Sequence, residues 1–181
     1  MAVKKDIGKR LALAGIGTAI SLIFVVLAYF IKNLSLSFYV LSAGGVMLPL
    51  TKGYFREGFL TAVAVSVAGF FIVNVSIIPF VMASGFYVVA SIFLYEKKFN
   101  RWIGYVIKLA YSAAVFFVCY KVLTLIMIDL TVFPAIGNLS PAALYAVLNV
   151  IFSLAFILYD FLLEKGYEYL KKLLEKLLKS N

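Results

Sequence analysis

The chain has 181 residues, 65% of them hydrophobic and 14% charged, with a formal net charge of +9 and a mean hydropathy of +1.06. Apolar usage in soluble domains is nearer one half, so an ordinary soluble domain is excluded. With no histidine and a single cysteine, Cys119, the sequence also excludes intrachain disulfides, the usual His/Cys zinc sites and most nucleophile–histidine catalysis. Transmembrane barrels need strands of about ten alternating residues, whereas the apolar runs here are continuous and about twice that length. The expected class is an all-α integral membrane protein.

Six spans are predicted in chain order: Leu11–Ile31, Leu36–Leu50, Gly58–Ser76, Ile77–Tyr95, Trp102–Ile128 and Ala142–Leu163. The first is too long for the apolar core of a signal peptide and ends at "YFIKN" instead of a small-residue cleavage site. The second is short. Its "SAGGVMLPL" predicts irregularity, because Gly44, Gly45 and Pro49 weaken a helix, and the expected outcome is a tilted, re-entrant or membrane-thinning segment. The third and fourth share one long apolar run, for which a tight turn at "NVSIIP" is predicted, with Pro79 in the first turn of the following helix.

Cations sort to alternate connections. Lys4, Lys5, Lys9 and Arg10, then Lys52 and Arg56, then Lys97, Lys98 and Arg101, then the tail, carry nearly all of them, whereas the opposite connections hold only Lys32. The positive-inside rule then predicts a multi-pass protein of the prokaryotic plasma membrane with both termini in the cytoplasm. Topology and anionic lipid account for the net charge, so nucleic acid is not implied. The organisation expected is a six-helix transmembrane domain, 1–163, and a basic tail, 164–181. From Leu163 into that tail, Leu163, Leu170, Leu174, Leu177 and Leu178 repeat at helical spacing, with Glu168–Lys172 and Glu175–Lys179 four apart. It reads as an amphipathic cytoplasmic helix lying on the inner lipid surface or docked on a cytoplasmic partner.

Ionisable groups at membrane depth are costly, by about 2.5–3.5 kcal/mol on insertion scales, and normally have a partner or a purpose. Lys108 lies about 9 Å inside the cytoplasmic end of the fifth span and Asp160 about four residues inside that of the sixth, at similar depth on consecutive, antiparallel spans. They are predicted to pair, with Tyr159 or Tyr111 nearby, either fixing helix register or contacting substrate. Lys121 lies about 220° around the same helix from Lys108 and shares a stripe with Ala110, Ala114 and Thr124. Two readings stand for it: a lysine snorkelling outward to Asp129, or a cation at the base of an outward-facing pocket for a carboxylate or phosphate. Asn74, Asn149 and Tyr145, with Ser76, Tyr39, Asn138 and Ser140, are further outer-half groups able to line a mouth. Such groups more often serve as interhelical hydrogen bonds or aromatic-belt residues, which is the competing reading for each.

"LALAGIGTAIS" opens the first span with small residues, Gly15 and Ala19 four apart, forming a face that another helix can approach. Six short spans, both ends inside, this small face and no nucleotide-binding motif together resemble the substrate-binding component of an energy-coupling factor (ECF) vitamin transporter. In that family an alanine-x-x-x-alanine face on the first helix docks a coupling membrane subunit tied to two ATPases. The resemblance therefore implies partner docking through Gly15 and Ala19, ATP use by partner subunits and a small-molecule ligand. The segments "YVIKLAYS" and "NVIFSLAFILYDF" are also similar to a set of uncharacterised small membrane proteins of Gram-positive bacteria, which implies no activity.

The expected function is that of a membrane-embedded substrate-binding subunit for uptake of a vitamin-like solute. The alternative is a non-catalytic scaffold of a cell-envelope complex for shape or division. An enzyme is not expected: Asp6, Glu57, Glu96, Asp129, Asp160, Glu164, Glu168 and Glu175 are scattered, without the clustered acids or nucleophile–base pairs that catalysis requires. Neither a cofactor nor a metal is implied.

Overall fold

The computed structural model describes residues 2–97, 101–125 and 140–179, and every element among them is helical. Helix α1 (Ala2–Phe30) leads through a 3₁₀ turn at Lys32–Leu34 into α2 (Ser35–Leu50). After α3 (Phe55–Val73) come a 3₁₀ turn at Asn74–Ile77 and a π-helical turn at Phe80–Gly85, which opens α4 (Phe86–Glu96). Helices α5 (Arg101–Leu125) and α6 (Pro141–Lys179) complete the chain.

Five of these helices are long and apolar enough to cross a membrane: Ile7–Phe30, Lys32–Leu50, Phe55–Ile77, Trp102–Lys121 and Ala142–Lys176. Their surfaces carry the largest apolar side chains, with Phe71 83%, Leu36 77% and Phe30 73% exposed. Small and hydroxylated residues fill much of the interior, among them Ala43, Ala62, Ser21, Ser42, Ser84 and Ser91. A helical protein in water buries its large apolar groups; one solvated by lipid has no such drive and packs its small residues together.

The chain divides into two compact units, Met1–Lys97 with Leu162–Asn181, and Lys98–Phe161. In unit 1, α2 packs against α1, α3, the π-helical turn and α4. Its approach to α1 is backbone to backbone. A Cβ placed on Gly17 would collide with the Gly45 carbonyl oxygen, and one on Gly45 with the Gly17 carbonyl oxygen and Ser21 Oγ. Ser21 Oγ donates across this contact to the Ser42 carbonyl at 2.7 Å. In unit 2, α5 and the first part of α6 run antiparallel, since residues advancing along one meet residues receding along the other: Lys108 with Asp160, Ser112 with Ser153, Phe116 with Tyr145.

Two expectations are corrected. First, α2 is uninterrupted to Leu50, and Thr51 N–H continues the hydrogen-bond pattern past Pro49 to the Met47 carbonyl. Gly45 serves close packing, not a break. Secondly, the short apolar segment is the fourth, Phe80–Glu96. The turn before it consumes residues: Asn74 adopts φ +55°, and irregular helix persists to Gly85. The expected boundary between 163 and 164 falls inside a single helical element, α6, of 39 residues.

Candidate functional site

The charged centre of unit 2 is built from α5 and α6. Lys108 Nζ donates to Asp160 Oδ2 at 2.6 Å, with their side chains only 13% and 9% exposed. Burying either charge alone would cost several kcal/mol, so each is tolerable because the other is there. Outward from the pair, rings fill the space between the helices: Tyr111 against Phe156, and Phe116 against Phe152, Tyr145 and Tyr120. Tyr120 and Tyr145 meet edge to face, 5.0 Å between centroids. Beside the rings Ser112, Ser153 and Asn149 form a hydroxyl–amide row, each step 3.4 Å. Tyr145 and Asn149 are thus engaged in holding α5 to α6.

Lys121 is not in this row. It lies on the exposed face of α5 with Ala110 and Ala114, its Nζ 5.7 Å from the centre of the Phe117 ring. Asp129, proposed above as its partner, and Asn138 lie outside the described residues. Asn74 belongs to unit 1, exposed at the end of α3.

Unit 1 has a polar centre of its own around the start of α2. The Tyr39 hydroxyl donates to the Ser76 carbonyl, while the Tyr39 carbonyl accepts from Ser42 Oγ and Ser84 Oγ, both at 2.6 Å. Helix irregularity makes these bonds possible. The turns at Asn74–Ile77 and Phe80–Gly85 aim Ser76 and Ser84 at a helix that a regular α4 would address with other residues. Every buried side-chain nitrogen and oxygen described has a partner.

Gly15 and Ala19 are exposed, and no atom lies within 4 Å of a Cβ built on Gly15. The small residue that α1 spends inside the chain is Gly17, with Ser21 four residues on. One turn of sequence thus offers two small faces, and the fold uses the one not singled out from sequence.

At the charged end of unit 1 a knot of four groups joins α2, α4 and α6. Tyr167, 1% exposed, donates to Glu96 Oε1 at 2.7 Å and lies 3.1 Å from the Leu50 carbonyl. Lys171 Nζ reaches the same Glu96 oxygen at 2.6 Å. These two hydrogen bonds hold the Glu96 carboxyl below its ordinary pKa despite partial burial. Glu168 accepts from the Tyr95 hydroxyl and pairs with Lys165 at 3.2 Å. Sequence reasoning did not find this knot. The available signal was Glu96, a carboxylate at the mouth of an apolar segment, opposite a tail with Tyr167 and Lys171 four apart.

No protein-family model matches the chain, and comparison with curated proteins and with solved structures gives no match either.

Proposed function

We propose that the chain is a non-catalytic, six-span subunit of a prokaryotic plasma membrane, both termini cytoplasmic, which binds a vitamin-like solute and works with a coupling membrane subunit and ATPase subunits. The observation that carries this reading is the unoccupied small-residue face of α1 at Gly15 and Ala19. Small side chains facing lipid make poor van der Waals contact, whereas against another helix they allow backbones to approach closely. The α1 pair Gly17 and Ser21 illustrates that use within the chain. Solute capture is assigned to the outer half, with Lys121 as its cation.

Two measurements test it. Gly15→Leu should abolish co-purification of partner membrane subunits while leaving the chain monodisperse in detergent. Native mass spectrometry of the protein from its own membrane should reveal a small molecule that Lys121→Ala loses. Retention of the partners by Gly15→Leu sinks the docking assignment, and accessibility labelling that puts the termini on opposite sides sinks the topology.

A scaffold role is the second reading, favoured by the tail of α6. Tyr167 and Lys171 fasten that helix to α2 and α4, which fixes the charged tail in place for protein contact. It predicts partners without any bound small molecule.

A further inference from the structure

Unit 1 carries a line of buried hydroxyls. Ser84 and Ser91 lie seven residues apart on one face of the fourth apolar segment, about 10 Å along its axis, and both are buried. Helix α2 packs against that segment and against α1. It brings Ser42 to the line and α1 brings Ser21, both fully buried. Among the described residues of unit 1, no buried side chain carries a charge.

A phenol closes each end of this line. At the start of α2 the Tyr39 hydroxyl donates to the Ser76 carbonyl, and Ser84 Oγ donates to the Tyr39 carbonyl at 2.6 Å. At the finish of α2 and α4, Tyr167 donates to Glu96 Oε1 at 2.7 Å and lies 3.1 Å from the Leu50 carbonyl. Serines that merely bridge lipid-solvated helices need only regular helices. The closure at Tyr39 is instead built on irregular backbone. Asn74 adopts φ +55° and ψ −136°, a region that residues other than glycine rarely enter, and a 3₁₀ turn and a π-helical turn follow to Gly85. Irregular backbone within a span persists where protein buries it or where it lines a polar cavity, and broken helices mark the solute sites of transporters.

We propose that α2 and α4 line a path for a small, uncharged, hydrogen-bonding solute, occluded in this structure by an outer closure at Tyr39 and an inner closure at Tyr167–Glu96. The hydroxyls are suited to exchange. Ser21, Ser42 and Ser84 all donate to carbonyls of α2, which keep their own helical hydrogen bonds when a hydroxyl turns toward a solute. The absence of buried charge sets the solute class, because an ion would cross the line without a counter-charge. This path goes beyond the function proposed above. It shares the membrane topology with that reading and makes no use of Lys121, so the two fail separately.

Thiol labelling of the full chain tests it, in a Cys119→Ser background carrying Ser42→Cys or Ser91→Cys. The probe is an uncharged, membrane-impermeant methanethiosulfonate added to right-side-out or inverted membrane vesicles. With both closures intact, each position should be protected from both sides. Removing one net hydrogen bond by Tyr39→Phe should speed labelling of position 42 from outside about tenfold. Glu96→Gln should do the same for position 91 from the cytoplasmic side, and Tyr167→Phe repeats that test without changing a charge. A sulfonate-bearing reagent, normalised to its rate with a free thiol, should lag well behind in each case. Protection that persists in all three closure variants overturns the path, as does labelling of both positions from both sides in any one of them. Equal rates for the charged and uncharged reagents overturn the solute class.

Discussion

Where α1 meets α2, Gly17 lies against Gly45 and Ser21 reaches across to a carbonyl. Where α5 meets α6, the space is filled by Phe116, Tyr120, Tyr145, Phe152 and Phe156, with one buried ion pair at the end of the row. Lipid provides no hydrophobic drive for either contact, so each must be held by packing and polar bonds. The first contact gains from close approach of two backbones and has no slack for added volume. The second is set at ring distance, tolerates adjustment of side chains, and relies on Lys108–Asp160 to choose its register. Unit 1 is thus sensitive to size, and unit 2 to charge.

The largest effect should come from forcing volume into the tight contact. Gly45→Leu drives a side chain into the α1 backbone, and no monodisperse protein is expected on gel filtration in detergent. Gly44→Ala, next to it but facing open space, should fold normally and gain up to about 1 kcal/mol from helix propensity. Equal behaviour of the two variants would break the comparison. Asp160→Asn comes next. It leaves Lys108 buried without its carboxylate and should cost about 3–5 kcal/mol in thermal or denaturant unfolding, whereas Lys108→Met/Asp160→Leu should recover most of the loss. If the double variant is as unstable as the single one, register in unit 2 is set by the rings instead.

A smaller effect is expected at the charged end of unit 1. Tyr167→Phe removes a buried hydroxyl bonded to Glu96 and should cost about 1–2 kcal/mol. Glu96 adds a pH signature. Its folded pKa is depressed by Lys171 and Tyr167, so its contribution is complete above the ordinary carboxylate value of about 4.3 and is lost as pH falls through the lower folded value. The melting temperature should therefore drop more steeply from pH 5 to pH 3 in the wild type than in Glu96→Gln. The smallest effect is predicted for Lys121→Ala. This exposed side chain should change stability by less than about 0.5 kcal/mol, so any functional loss in that variant reports on ligand or partner and not on folding.

Much of the fold was legible because lipid imposes long apolar helices and makes each buried charge conspicuous. Lys108 and Asp160 could be named together from depth alone, as two ionisable groups on consecutive antiparallel helices. The candidate ligand residues were less legible. Asn149 and Tyr145 are polar groups of the outer half in sequence, but in space they serve the α5–α6 contact, a use that depends on which helix faces them. The α1 face shows the same limit. Gly15 and Gly17 are two residues apart, about 200° around the helix, and nothing local says which of them meets α2.

Composition and periodicity by themselves determined that the chain is helical, that it suits a bilayer, and where its apolar runs begin and end to within a few residues, because these follow from backbone hydrogen bonding in a solvent that offers none. Tertiary structure decided what no run of residues encodes: that Gly17 and not Gly15 is spent on α2, that α6 continues unbroken through the expected tail boundary, and that Glu96, Tyr167 and Lys171 share one knot. The last of these depends on groups more than seventy residues apart in sequence meeting at hydrogen-bond distance. Such meetings are settled by how helices pack and not by the propensity of any one of them.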